Sequence, residues 1–173
     1  MNHPILRRTV FPLTRLRVRF IEGFENLPKN GPLIVASNHV SYLDPPILTS
    51  LLVPTIKQKI HFLTKQSVVE GFGRLIGERW MGMIPVKIDQ PAQSLDMAEQ
   101  YLHANKIVGI FPESSRNTSR ELYKGKTGVA RLALRTGALV VPIGFEGPPG
   151  WTAKQAIANF LFGRERISIR IGA

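Results

Sequence analysis

The sequence has no cysteine. That excludes a disulfide framework, a thiolate zinc site, an iron–sulfur cluster and a cysteine nucleophile. It also has no long apolar run. The most apolar stretch, Pro45 to Ile56, is broken by Thr49, Ser50 and three prolines, whereas a membrane span needs about 20 apolar residues. A secretory leader is not expected either, because Arg7, Arg8, Arg15, Arg17 and Arg19 interrupt any apolar stretch near the start. Acidic residues are few: 12 against 23 Lys plus Arg, a formal charge of +11. Such a chain favours anionic partners: nucleic acid, an anionic membrane surface or phosphorylated small molecules. Aromatic residues make up only 8%, and no nucleic-acid-binding motif is present.

What is present is enough for one folded domain. The 173 residues are 43% hydrophobic and 20% charged, too apolar for disorder. The whole chain, 1–173, reads as a single domain whose last strand runs close to the C-terminal residue, with residues 1–20 a basic segment. Arg15 to Ile21 alternates with period two and predicts a half-buried strand with Leu16, Val18 and Phe20 inward. The cluster Pro28 to Pro32 predicts a turn. Apolar runs predict buried strands at Leu33–Ala36, Ile60–Leu63, Met83–Ile88, Ile107–Phe111 and Ala138–Ile143. Arg166–Ile171 alternates again. Between them, helices are predicted from Pro45 to Leu52, from Ser67 to Glu78, and from a cap at Ser94 along the face Leu95, Ala98 and Leu102. Further helices are predicted from Lys126 to Thr136, closed by Gly137, and from Trp151 to Phe162. Strands alternating with helices give an α/β fold: a single layered domain with a largely parallel or mixed central sheet flanked by helices.

Two segments hold candidate chemistry. In Ser37-Asn38-His39-Val40-Ser41-Tyr42-Leu43-Asp44-Pro45-Pro46, His39 follows a buried strand and Asp44 precedes a helix. Ligands of α/β sheets bind at the carboxyl ends of strands. A loop of this length lets Asp44 accept from one imidazole nitrogen and leave the other basic, as in a general-base relay. A helix N-cap at Asp44 and a solvated histidine would give the same spacing. In Phe111-Pro112-Glu113-Ser114-Ser115-Arg116, Arg116 suits a pair of phosphate oxygens and Glu113 could orient it or a substrate. A surface turn with a local ion pair reads the same.

Together these segments resemble the lysophosphatidate acyltransferases and related glycerolipid acyltransferases. The family's Asn-His-x4-Asp block is matched by Asn38, His39 and Asp44. Its Phe-Pro-Glu-Gly-Thr-Arg block is matched by Phe111 to Arg116, with Ser114 for Gly and Ser115 for Thr. Its Val-Pro-Ile strand is matched by Val141-Pro142-Ile143. Its remaining block, Gly-x-Ile-Phe-Val-x-Arg, is degraded here to Gly82-Met83-Ile84-Pro85-Val86-Lys87-Ile88, with Ile88 in the place of the arginine. The resemblance covers about Gly23 to Gly147. It implies a glycerol-3-phosphate acyltransferase-like fold and transfer of an acyl group from acyl-CoA or acyl carrier protein to a lysophospholipid, most directly 1-acyl-sn-glycerol 3-phosphate, with another lysolipid acceptor as the alternative. It implies His39 and Asp44 as the catalytic pair and Asn38, Ser41, Lys87, Glu113, Ser114, Ser115 and Arg116 as substrate-binding residues. No metal and no bound cofactor are implied. The expected place of action is the cytoplasmic face of a membrane, held peripherally by anionic lipid.

Competing motifs fail. Gly125-Lys126-Thr127 resembles the end of a phosphate-binding loop, but its first glycine would fall on Arg120. There is no Gly-x-Ser-x-Gly elbow. His3, His61 and His103 lack metal-ligand spacing. Nucleic-acid binding and a lipid-binding domain without turnover remain as readings from other classes; the His39–Asp44 pair argues against the second.

Overall fold

The computed structural model describes residues 10–29, 31–87, 89–117, 119 and 121–173. Arg7, Arg8 and Ile88, each given a role above, lie outside the described residues. In chain order the elements are α1 (Val10–Arg17), β1 (Val18–Glu22), a 3-10 turn (Phe24–Asn26), β2 (Leu33–Ser37), α2 (Asp44–Ile56), β3 (Ile60–Lys65), α3 (Gln66–Phe72), a π-helical turn (Leu75–Trp80) and β4 (Ile84–Val86), followed by α4 (Pro91–His103), β5 (Ile107–Ile110), α5 (Gly128–Thr136), β6 (Leu139–Glu146), α6 (Ala153–Phe162) and β7 (Ile167–Ile171). The strands form one seven-stranded sheet in the order β1-β7-β6-β2-β5-β3-β4. Strands β2 to β6 are mutually parallel; β7 runs antiparallel to β6, and β1 follows β7. This is the α/β architecture with a largely parallel sheet that the alternation of apolar runs implied.

The central strands show why the runs are continuous. Leu33 and Val35 of β2 pack with α2, β3 and Phe160 of α6 on one face of the sheet. Ile34 packs with Ala98 and Leu102 of α4 and Leu132 of α5 on the other. A strand covered on both faces has no position for a polar side chain. Register places Val35 between Gly109 of β5 and Val141 of β6. The carboxyl ends of β2 and β5 are therefore neighbours at one edge of the sheet.

Some local expectations are corrected. The segment Arg15 to Ile21 is not one strand. It is helix through Arg17 and strand from Val18, and Leu16 points outward with 74% exposure. Among the described side chains of α1 the fully buried one is Thr14, a residue that carries no hydrophobic signal, so the helical face was invisible to a polarity pattern. The predicted helix Ser67–Glu78 breaks at Gly73, which has φ 79; the chain resumes as the π-helical turn, whose last carbonyls, on Arg79 and Trp80, accept from Lys59 Nζ at 2.9 and 3.0 Å. Ser94 is not a cap. Helix α4 starts at Pro91, where the missing N–H costs nothing, and the Ser94 hydroxyl donates back to Gln90 O. Helix α2 runs past Leu52 and through Pro54, because a proline so near the end forfeits only one ladder bond.

Candidate active site

The site is assembled where β2 and β5 end. After Ser37 the chain turns through residues 38–43 and enters α2 at Asp44. Asp44 is not the N-cap of that helix; Leu43 holds that position and makes no side-chain cap. The Asp44 carboxylate turns back onto the loop. Its Oδ2 accepts from Val40 N at 2.7 Å, from Ser41 N at 2.8 Å and from His39 Nδ1 at 2.7 Å. The Asp44 side chain is fully buried, and that of His39 is 15% exposed. Burial pushes the Asp44 carboxyl above its ordinary value of 3.8, while the His39 bond and charge and the two backbone N–H groups pull it back. Three donors on one oxygen fix the carboxylate and, through Nδ1, the plane and tautomer of the imidazole. Nε2 is left as the basic atom.

The second face of His39 is set by β5. The Phe111 ring stacks on the imidazole with centroids 4.0 Å apart and planes 14° apart. Phe62 of β3 stacks behind Phe111 at 5.4 Å, also at 14°. This layering needs a glycine. Gly109 pairs with Phe62 across the sheet, and a Cβ there would overlap the Phe62 ring.

The Phe111–Arg116 turn then folds over the His39 loop. Glu113 is buried, at 9% exposure. Its Oε2 accepts from Asn117 Nδ2 at 2.9 Å and from Tyr123 N at 3.2 Å. Its Oε1 and the Nε of Arg116 are buried without a hydrogen-bond partner among the described residues. The Arg116 guanidinium lies 5.5 Å from the centre of the Tyr42 ring, beside the loop that carries His39. A guanidinium beside the loop that carries His39 suits a ligand bearing an anionic group.

Other residues named from the sequence take different positions. Asn38 spends its amide on β6, donating to Phe145 O at 2.8 Å and accepting from Phe145 N at 2.7 Å; it locks the end of β2 to its neighbour. Ser41 is buried and gives its N–H to Asp44. Ser114 and Ser115 are exposed at the tip of the turn, and Ser114 holds a left-handed conformation with φ 58. Lys87 is not brought against His39. It lines a groove of about 270 Å³ with Glu70, Arg74 and Ser94, beyond the end of edge strand β4.

One residue was not singled out from the sequence. Asn117 is buried, at 3% exposure. Its N–H donates to His39 O at 2.6 Å. Its side chain donates to Glu113 Oε2 and to Glu121 O, and accepts from Ser119 N and Oγ. It joins the histidine loop to the glutamate. Its position directly after Arg116 was the available signal.

A model of the acyltransferase family matches residues 18–146, a span that includes both loops. The chain belongs to the acyltransferase family. It is 30% identical over 147 residues to a chloroplast 1-acyl-sn-glycerol-3-phosphate acyltransferase of Arabidopsis thaliana, an alignment covering 80% of this chain and 38% of that relative. It is 25% identical over 140 residues to the 1-acyl-sn-glycerol-3-phosphate acyltransferase of Borreliella burgdorferi, covering 80% of this chain and 55% of that protein. The crystal structure of a 1-acyl-sn-glycerophosphate acyltransferase from Thermotoga maritima superposes with a TM-score of 0.73 at 21% identity, over 97% of this chain and 65% of that one. The fold is shared, and this acyltransferase-family chain spans only part of the length of each relative.

Proposed function

We propose that the chain transfers a fatty acyl group from an acyl thioester to a free hydroxyl of a lysophospholipid, with 1-acyl-sn-glycerol 3-phosphate as acceptor and phosphatidic acid as product. The observation that carries this reading is the His39–Asp44 pair, its carboxylate fully buried, set against the polar Glu113–Arg116 turn. In the mechanism, His39 Nε2 takes the proton from the acceptor hydroxyl as its oxygen attacks the thioester carbonyl. Asp44 stabilises the resulting imidazolium through Nδ1. The tetrahedral intermediate collapses, the carbon–sulfur bond breaks, and the imidazolium returns the proton to the departing thiolate. No covalent enzyme intermediate is required, which agrees with a chain lacking cysteine and a serine elbow. Arg116 pairs with the acceptor phosphate and Glu113 with a glycerol hydroxyl.

The donor is acyl-CoA or acyl carrier protein. The protein works peripherally on the cytoplasmic face of an anionic membrane, where its excess of basic residues favours attachment; no helix among the described residues is long and apolar enough to cross a bilayer. The decisive experiment is release of free thiol from each donor, run with lysophosphatidate and with uncharged or zwitterionic lysolipids. Thiol release that depends on lysophosphatidate supports the reading. Equal release with and without any lysolipid would make the protein a thioesterase instead.

A further inference from the structure

Helix α6 is apolar on both sides. Ala156 and Phe160 turn into the core. Ile157, Leu161 and Phe162 face solvent at 48, 45 and 85% exposure, and Trp151, just before the helix, is 48% exposed. A surface helix with an apolar outer face lacks a partner. The residues around it indicate what that partner is. The helix ends at Gly163, and Arg17 at the close of α1 donates to Gly163 O at 2.6 Å and to Glu165 O at 3.0 Å. This draws the two segments into one corner. Arg19, Arg164 and Arg166 line a depression there of about 480 Å³, together with Glu146 and Glu165. With Arg17, four arginines stand in this corner against the two glutamates, so it carries a cationic excess.

The helix is also fastened to the catalytic loop. Gly150 N donates to Val40 O at 3.3 Å, and Tyr42 N donates to Gly150 O at 3.0 Å. Asn159 Nδ2 of α6 donates to Pro149 O at 2.7 Å, and a Cβ at Gly150 would collide with Ala156. The orientation of α6 and that of the His39 loop are thereby fixed to each other.

We propose that the outer face of α6, with Arg17, Arg19, Arg164 and Arg166 at its C-terminal end, is the surface by which the protein lies on an anionic lipid bilayer. Apolar side chains enter the boundary between headgroups and acyl chains, and the arginines meet headgroup phosphates. A second copy is a poor occupant, because a two-fold contact would bring this cationic corner against its own equivalent or leave it out of the interface. That docking places the acceptor at His39 rests on the acyltransfer reading; the docking itself does not.

The test uses the full chain. Binding is measured by co-sedimentation with mixed phosphatidylcholine–phosphatidylglycerol vesicles and with pure phosphatidylcholine vesicles. The double variant Leu161→Ser, Phe162→Ser alters exposed positions only, and an unchanged melting temperature verifies its fold. It should bind mixed vesicles about tenfold or more weakly. The double variant Arg164→Glu, Arg166→Glu should lose affinity for mixed vesicles and little for pure phosphatidylcholine. Thiol release with vesicle-embedded acceptor should fall in parallel, while release with a short-chain, monodisperse acceptor should hold. Wild-type vesicle binding by both double variants would overturn the proposal. So would loss of binding in Leu75→Ser, Ile76→Ser, at exposed apolar positions far from α6 in the chain, with α6 variants unaffected. A mass change from dimer to monomer in the α6 variant, with vesicle binding intact, would reassign the face to self-association. Binding is read without turnover, so absence of thiol release from every acceptor would count against the acyltransfer reading and not against docking.

Discussion

The imidazole of His39 lies flat on the ring of Phe111, 4.0 Å between centroids. The two residues come from the loops after two neighbouring strands, β2 and β5, and the contact closes the one side of the imidazole that the Asp44 bond leaves free to tilt. Stacking of this kind is worth about 0.5–1.5 kcal/mol beyond area burial. Phe111→Leu keeps most of the apolar volume and removes the flat face. It should lower kcat by up to about tenfold with a smaller change in stability, whereas Phe111→Tyr should retain most of the rate. Steady-state kinetics beside thermal melts checks this; an unchanged kcat in Phe111→Leu would remove the orienting role.

The pair itself predicts a larger loss. His39→Ala should reduce acyl transfer by ~10²–10⁴-fold while the protein stays folded, since general-base catalysis is worth that much. Asp44→Asn should also cost activity. An amide can still accept at the Oδ2 position, but its NH2 then occupies the Oδ1 position, which is buried with no partner among the described residues. Near-wild-type turnover by His39→Ala, measured as thiol release, would rule out the mechanism.

Asn117 connects the two loops and touches neither substrate nor base side chain, so it acts as a positioning residue. Asn117→Ala leaves its N–H bond to His39 O in place but removes the donor to Glu113 and both ties to Ser119. The acceptor KM should rise by about tenfold, the worth of one hydrogen bond to a charged group, with a smaller fall in kcat and no change in donor KM. A purely structural defect would lower activity with both substrates alike. Asn117→Asp should be worse than Asn117→Ala, because it sets a second carboxylate against buried Glu113.

The parts legible in the sequence share a physical cause. Strands β2 and β5 were visible because parallel strands covered on both faces must be apolar runs; β6 was visible although only alternate residues, Val141, Ile143 and Phe145, are buried. His39, Asp44, Glu113 and Arg116 were visible because each lies in, or at the end of, the loop that follows an apolar run. What stayed hidden depends on partners distant in the chain. The Phe62–Phe111–His39 stack exists because β3, β5 and β2 end side by side, and Gly109 announced only that something approaches the backbone. The end of α1, Arg15–Arg17, was misread as strand because the buried residue among the helix's described side chains is Thr14, and the break at Gly73 was missed because a glycine within a helical pattern is commonly tolerated.

Ser114 gives a stability prediction. Its φ of 58 is the left-handed conformation, which costs an L-residue about 1–2 kcal/mol. The tight turn requires it, since Ser114 N donates to Phe111 O at 2.9 Å. Ser114→Gly relieves that strain but gives back about 0.4–1 kcal/mol through the freer unfolded chain. The net gain should be about 0.5–1 kcal/mol, a rise in Tm of roughly 1–4 °C for a chain of this size. A lower Tm would mean that the exposed hydroxyl makes a contact outweighing the strain.

His61 contributes to the acid limb of stability. Its ring lies 4.7 Å from that of Tyr101. Burial first, then the charges of Lys59 and Lys106, lower its pKa from 6.5 to about 4. Between those values the unfolded chain binds a proton that the folded chain does not. The stability is therefore fully present above the ordinary histidine value and is lost as pH falls toward 4. Full burial would make this gap worth about 3 kcal/mol; the ring is only partly buried, so about 1–2 kcal/mol is expected after screening by solvent. His61→Phe keeps the ring against Tyr101 and cannot titrate. Asp44 and the other carboxylates titrate in both proteins and cancel in the comparison. Denaturant midpoints measured from neutral pH down to about pH 4 should thus fall more steeply for the wild type than for His61→Phe, and parallel curves would show that His61 is as easily protonated in the folded chain as in the unfolded one.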